Sequence, residues 1–143
     1  MVAYLWLVWY QANSRATPKH WALAVTYELH ERAYATFYEI MGDGNGMGQY
    51  IPSVVRRVHL TGTHGHQAYD GKMLLGEITD SVVGALEMYG ESAVEMINSH
   101  NRKRGLGESN CQDWVIIIVR SLEDSLLLPR GTLGKVEKSP RYG

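Results

Sequence analysis

A single cysteine, Cys111, is the residue of this chain whose type and position suit covalent chemistry. The surrounding sequence predicts a helix that begins at Cys111 or Gln112, with Ser109 or Asn110 as a suitable N-cap. A thiol is a nucleophile only as the thiolate, and a helix N-terminus or a neighbouring imidazolium favours that form. The backbone N–H groups of Cys111 and Gln112 could also bind an oxyanion. The alternative is an inert buried thiol, because free cysteines are often buried.

His20 is the strongest candidate for a base among the six histidines. It begins an apolar run directly after a turn that contains Pro18, so its ring should lie at the rim of a sheet. The alternative is a rim histidine that only forms hydrogen bonds. A third group usually orients the imidazole. A hairpin between this strand and the next brings Glu39 close to His20, with Asp43 just beyond, and we predict Cys111, His20 and Glu39 as the catalytic set.

Two other patterns resemble ligand-binding sequences without predicting a site. Four glycines lie in the segment 42–48, but the Lys-Ser/Thr ending of a phosphate-binding loop is missing. His64 and His66 could share a metal ion, yet no third ligand with suitable spacing is nearby. The sequence therefore predicts no cofactor and no metal site.

The elements that must position these residues form one α+β domain. At 143 residues the chain is long enough to bury a core without disulfides. Apolar runs predict five strands, at residues 2–12, 20–29, 34–41, 50–60 and 73–79. The second should lie centrally in the sheet because it is almost continuously apolar. The first is apolar and is expected to be exposed, where it could pair with a second copy.

Three helical segments complete the predicted fold, which is an antiparallel sheet packed against helices. Thr79 or Asp80 caps a first helix, and a second helical piece runs over residues 91–99. The clearest helix runs from Cys111 or Gln112 to about residue 127, and its apolar stripe predicts burial on most sides.

Charge and composition exclude several classes of function. Fourteen basic and fifteen acidic residues leave a net charge of −1, which offers no electrostatic reason to bind nucleic acid or an anionic membrane. No apolar segment reaches transmembrane length, and the apolar start lacks the basic flank of a signal peptide. A lone cysteine without a secretory signal predicts a cytoplasmic location. We divide the chain into one catalytic-type domain, residues 1–128, and a loose C-terminal extension, residues 129–143.

Two short motifs resemble the circularly permuted papain-like fold, in which the histidine strand precedes the cysteine helix. They are His20-Trp21 and the run Asn110-Cys111-Gln112-Asp113-Trp114. This group includes permuted NlpC-type peptidases, relatives of lecithin:retinol acyltransferase and PPPDE-type deSUMOylating peptidases. The layout is also similar to small fungal domains of unknown function encoded among natural-product biosynthesis genes. The resemblance spans roughly residues 4–125 and implies Cys111 as nucleophile and His20 as base. The acyltransferase relatives carry a second histidine where this chain has Arg32.

These features support three functions. The first is a cysteine–histidine hydrolase or acyltransferase that acts on the carbonyl of a small molecule or peptide. The second is a papain-like fold reused as a non-covalent cyclase or isomerase in fungal secondary metabolism, with an aromatic pocket that would include Trp6 and Trp9. The third is a non-catalytic binding module. The predicted partner is a small-molecule substrate, with a homo-oligomer or a partner protein left open. The predicted substrate-binding side chains are Trp21, Tyr38, Gln112 and Trp114.

Overall fold

The computed structural model describes residues 2–63, 65, 67–103 and 107–143. Within these residues, five strands form one antiparallel sheet: β1 (Val2–Tyr10), β2 (Trp21–Thr26), β3 (Tyr34–Gly42), β4 (Tyr50–His59) and β5 (Tyr69–Thr79). Three helices follow: α1 (Asp80–Asn101), α2 (Cys111–Asp124) and α3 (Thr132–Glu137). The predicted α+β class is confirmed. In the described part of the chain, no helix has the length and apolar character needed to cross a membrane.

The strand order β4-β3-β2-β1-β5 places β2 at the centre of the sheet. All six residues of β2 are buried, as its continuous apolar run predicts. β1 pairs with β2 on one side and with β5 on the other, so both of its edges are occupied. The expectation of an exposed first strand that pairs with a second copy is therefore wrong. The edges of the sheet are β4 and β5.

Each face of the sheet carries its own core because successive side chains of a strand point to opposite faces. Leu5 and Trp21 belong to the cluster that packs against α1 and α2. Trp6, Tyr10 and Phe37 belong to a second cluster on the opposite face. The tryptophans of this chain are thus divided between the two sides of the sheet.

The two helical pieces expected after β5 form a single 22-residue helix, α1. Its N-cap is Thr79, whose hydroxyl accepts a hydrogen bond from the Val82 N–H. Gly90 lies in the middle of α1, where a glycine ordinarily weakens a helix. Here it makes room for Trp114 of α2, because a Cβ at this position would lie 3.1 Å from the indole ring. The glycine that interrupts the sequence pattern is therefore the place where the two long helices meet.

The segment after Pro129, expected as a loose extension, packs into the domain. Val136 of α3 is fully buried in the cluster beneath α2, together with Leu128. Beyond α3 the chain returns to the loop before β2, where the Lys19 N–H donates to the Arg141 carbonyl at 2.7 Å. The end of the described chain therefore supports the loop that precedes His20.

Candidate active site

Cys111 is the first residue of α2, and its neighbours form a complete helix cap. The Gln112 N–H donates to Asn110 Oδ1 at 2.9 Å, and the Asn110 N–H donates to Asp113 Oδ2 at 2.9 Å. This reciprocal pair is a capping box, which satisfies backbone donors at the start of the helix. The Asp113 carboxylate also interacts favourably with the positive end of the helix dipole. The cap therefore fixes the backbone from which the Cys111 side chain projects.

The same cap changes the predicted oxyanion site. The Gln112 N–H is occupied by Asn110, so it is not available to a substrate oxygen. The Gln112 side chain is occupied too, since its Nε2 donates to the carbonyls of Lys19, at 3.0 Å, and Arg141, at 2.7 Å. The expectation that Gln112 contributes a backbone donor needs correction. Of the predicted pair, only the Cys111 N–H has no acceptor among the described residues.

His20 lies directly before β2, at the rim of the sheet, and pairs with an acidic residue of β3. Leu23 lies opposite Tyr38 in the β2–β3 register, and the same register carried toward His20 places Glu39 diagonally across from it on the same face. The His20 Nε2–H donates to Glu39 Oε1 at 2.9 Å. Glu39 is only 2% exposed, so this carboxylate is a buried partner of the ring.

Cys111 of α2 also lies beside the His20 ring. Its sulfur lies 3.5 Å from the backbone nitrogen of Trp21 and 3.9 Å from the carbonyl oxygen of Lys19, the two chain neighbours of His20. Because Glu39 engages Nε2, the ring nitrogen left for the thiol is Nδ1. Two side chains, Cys111 from α2 and Glu39 from β3, therefore converge on the His20 imidazole.

The charges of these groups favour a protonated imidazole. Burial disfavours the charged ring, but hydrogen bonds with Cys111 and Glu39 and the negative charge of both groups outweigh it. Together they raise the pKa of His20 from 6.5 to about 9. The Tyr10 ring lies 5.7 Å from the His20 ring, and burial together with Glu39 raises the pKa of Tyr10 above its usual value. At neutral pH the site thus holds an imidazolium beside a carboxylate and a sulfur, next to a neutral phenol.

The converging groups border an open cleft with two arms. The polar arm has a volume of about 840 Å³ and is lined by residues that include Gln11, Asn13, Thr17, Glu108 and Asn110. The second arm has a volume of about 590 Å³ and a mostly apolar lining that includes Ile40, Met41, Val55 and Val58. Four residues line both arms: His20, Tyr50, Gln67 and Cys111. A carbonyl group bound between the arms would lie beside the sulfur.

Comparison of the chain with protein-family models, with curated proteins and with solved structures finds no match. The functional assignment therefore depends on the chemistry of this cleft.

The four side chains predicted to bind substrate lie outside both arms. Trp21 and Trp114 are 0% and 1% exposed, and their indole N–H groups donate to the carbonyls of Pro140 and Gly90. Gln112 is buried at its contacts with Lys19 and Arg141. Tyr38 and Trp114 line a separate cavity of about 130 Å³ between the sheet and α1.

The aromatic pocket expected for a non-covalent cyclase does not form from the predicted residues. Trp6 lies on the face opposite to Trp21 and donates its indole N–H to the Thr26 hydroxyl at 2.9 Å. Trp21 and Trp114 fill the core between the sheet and the helices. In the described part of the chain, these tryptophans therefore hold the fold together and do not line a common cavity.

The sequence did not predict Tyr50 or Gln67 as site residues, and in the structure both line the cleft. Tyr50 begins β4, where it pairs with Gly42 at the far side of the glycine-rich segment. The hairpin register between β3 and β4 is the one sequence pattern that could have located it, because it places the start of β4 beside the end of β3. Gln67 reaches the cleft from the loop before β5, and no local pattern predicts that.

His64 and His66, for which the sequence predicts no metal site, lie outside the described residues. Among the residues with described positions, no group of three His, Cys, Asp or Glu side chains could hold a metal ion.

We expect Asn110→Ala to lower the free energy of unfolding by about 1 kcal/mol, because it removes the side-chain half of the cap. Asn110→Asp should retain most of the stability, since a carboxylate also accepts from the Gln112 N–H. Urea denaturation measures both. Ser109→Ala is the matched control, because the Ser109 side chain takes no part in the cap. Equal losses in Asn110→Ala and Ser109→Ala would contradict the assigned role of Asn110.

Proposed function

We propose that this protein is a thiol-dependent hydrolase or acyltransferase. Cys111 is the nucleophile, His20 is the acid and base, and Glu39 orients His20. One observation carries the proposal: the His20 ring binds the buried Glu39 through Nε2, and the Cys111 sulfur lies against the backbone on either side of His20, at an open cleft. Nucleophile, base and orienting group in this order are the usual arrangement for covalent catalysis by a side chain.

In the proposed acylation step, the Cys111 thiolate attacks the carbonyl carbon of an amide, ester or thioester. A carbon–sulfur bond forms, and the carbonyl oxygen takes the negative charge beside the Cys111 N–H. The His20 imidazolium then gives its Nδ1 proton to the leaving amine, alcohol or thiol. The bond to the leaving group breaks, and a thioester on Cys111 remains with a neutral His20.

The deacylation step restores the starting state. Water in a hydrolase, or an alcohol or amine in an acyltransferase, attacks the thioester while the neutral His20 accepts its proton. The tetrahedral intermediate collapses, the acid, ester or amide leaves, and Cys111 is released as a thiolate beside the imidazolium. Glu39 stays ionised throughout and keeps the proton of Nε2 in place.

The two arms support a substrate with unlike groups on either side of its carbonyl. An apolar group suits the arm that contains Met41, Val55 and Val58, and a polar group suits the arm that contains Gln11 and Glu108. The order of histidine strand before cysteine helix agrees with the resemblance to permuted papain-like enzymes. We further propose a permuted papain-like fold, and a small molecule or peptide as the substrate. A fungal biosynthetic context and a cytoplasmic location are proposed with them.

p-Nitrophenyl acetate provides a direct test of covalent catalysis. We expect a rapid release of about one p-nitrophenolate per protein molecule, and an acetyl group on Cys111 in the peptide mass spectrum. Cys111→Ala should show neither result. Slow release without acetylation of Cys111, equal in the wild type and in Cys111→Ala, would refute the proposal. Unchanged turnover of a natural substrate by Cys111→Ala would favour the non-covalent cyclase instead.

A further inference from the structure

A tyrosine lies at the point where the two arms meet. Tyr50 lines both arms together with His20 and Cys111. Its side chain is partly exposed, and the hydrogen bonds described for Tyr50 are those of its backbone N–H and carbonyl. Burial, followed by the negative charge of Glu108, Cys111 and Asp113, raises the pKa of Tyr50 above its ordinary value. The hydroxyl therefore stays protonated at neutral pH and can donate a hydrogen bond.

The position of Tyr50 is held from the backbone. Its N–H donates to Asn98 Oδ1 at 2.8 Å, and its carbonyl accepts from Asn98 Nδ2 at 3.0 Å. This two-point contact joins the start of β4 to α1, directly after the glycine-rich segment 42–48. The anchored backbone fixes the point from which the Tyr50 side chain projects, which narrows the positions that its hydroxyl can take.

The predicted pair of backbone donors supplies one free N–H, so a second oxyanion donor has to come from another of the described residues that line the cleft. The Gln112 N–H is occupied by the cap, and the Gln112 amide is bound to two carbonyls. The Cys111 N–H is left as a single backbone donor. Tyr50 and Gln67 are the two remaining neutral donors that line both arms. Tyr50 is favoured because Asn98 holds both its backbone N–H and its backbone carbonyl.

We propose that the Tyr50 hydroxyl is the second oxyanion donor, which binds the substrate oxygen together with the Cys111 N–H as sulfur adds to the carbonyl carbon. The inference rests on the proposed function of Cys111. The phenol keeps its proton during the reaction, so no bond of Tyr50 is made or broken. Tyr50 is then a catalytic residue because it touches the reacting oxygen.

Tyr50→Phe tests this role because it keeps the ring and removes the donor. We expect acetylation of Cys111 by p-nitrophenyl acetate to be about 100-fold slower, with the loss in kcat and little change in KM. Alkylation of Cys111 by iodoacetamide should keep the wild-type rate, because displacement of iodide at a saturated carbon forms no oxyanion. Gln67→Leu is the parallel variant that removes the other donor. Equal urea denaturation of the wild type and Tyr50→Phe establishes that the fold is retained.

The outcomes separate the two proposals. Rapid acetylation of Tyr50→Phe at the wild-type rate overturns the role of Tyr50 and leaves the function of Cys111 standing. A loss seen in Gln67→Leu alone also overturns it. If alkylation slows as much as acetylation, Tyr50 acts on the sulfur and not on the oxyanion, which again rejects the inference. Absence of Cys111 acetylation in the wild type removes the proposed function, and the inference is rejected with it.

Discussion

Replacement of His20 by alanine should slow the alkylation of Cys111 by iodoacetamide about 100-fold at about pH 6. An ordinary thiol, with a pKa of about 8.5, is less than about 1% ionised at that pH. In the proposed mechanism the imidazolium of His20 stabilises the Cys111 thiolate, and the His20 pKa of about 9 keeps the ring charged well above pH 6. Without the ring, the helix N-terminus and the Trp21 N–H still favour the thiolate, but neither supplies a full positive charge. The lower intrinsic reactivity of a stabilised thiolate offsets part of the difference.

The pH profile of the alkylation rate makes this test specific. The rates of the wild type and His20→Ala should converge above about pH 9, where ordinary thiols ionise without help. His30→Ala is the matched control, because His30 is exposed and hydrogen-bonds to Glu28 far from the cleft. A His20→Ala profile that superimposes on the wild-type profile at low pH would mean that the ring does not activate the thiol.

The free energy of unfolding should fall as the pH rises to about 9, by less than about 3 kcal/mol. His20 is protonated more readily in the folded chain, where its pKa is about 9, than in the unfolded chain, where it is 6.5. At His20 the folded state therefore binds an extra proton across this interval, but a thiolate at Cys111 has given up the proton that an ordinary thiol keeps below about pH 8.5, which offsets the uptake there. The contribution of His20 is complete below pH 6.5 and is lost as the pH passes through about 9, so the fall is concentrated near pH 9.

Urea denaturation at several pH values measures this dependence. In His20→Gln the fall between pH 6.5 and pH 9 should disappear, whereas His30→Gln should retain it. Glu39→Gln should reduce the fall, because the amide oxygen still accepts from Nε2 but no longer carries the charge that favours the imidazolium. Parallel curves for the wild type and His20→Gln would show that His20 does not titrate between the folded and unfolded states in this range.

The parts of the site that depend on local sequence could be predicted. The cap residues around Cys111 predict where α2 begins, because Asn and Asp at these positions satisfy the donors of a helix start. The short connection between β2 and β3 forces an antiparallel hairpin, which brought Glu39 within reach of His20. The catalytic roles of these three residues stay predictions until the variants are measured.

The parts that depend on distant contacts could not be predicted. The same pattern of tryptophans suits a pocket and a core. In the structure Trp21 and Trp114 are buried, and their indole N–H groups donate to the carbonyls of Pro140 and Gly90, which are distant in sequence. β5 begins four residues before the predicted start at residue 73, because its polar first residues pair with the end of β1 at the edge of the sheet. No periodicity could place α3 beneath α2.

The last described residues form hydrogen bonds with the loop before β2, and these contacts affect when the site can form during synthesis. The Arg141 carbonyl accepts from both the Lys19 N–H and the Gln112 amide, and the Pro140 carbonyl accepts from Trp21. The ribosome makes His20 early, Cys111 much later and these carbonyls later still. A chain that lacks Pro140 and Arg141 therefore carries its proposed nucleophile and base without these contacts, and we expect the loop before His20 to be held less firmly in it.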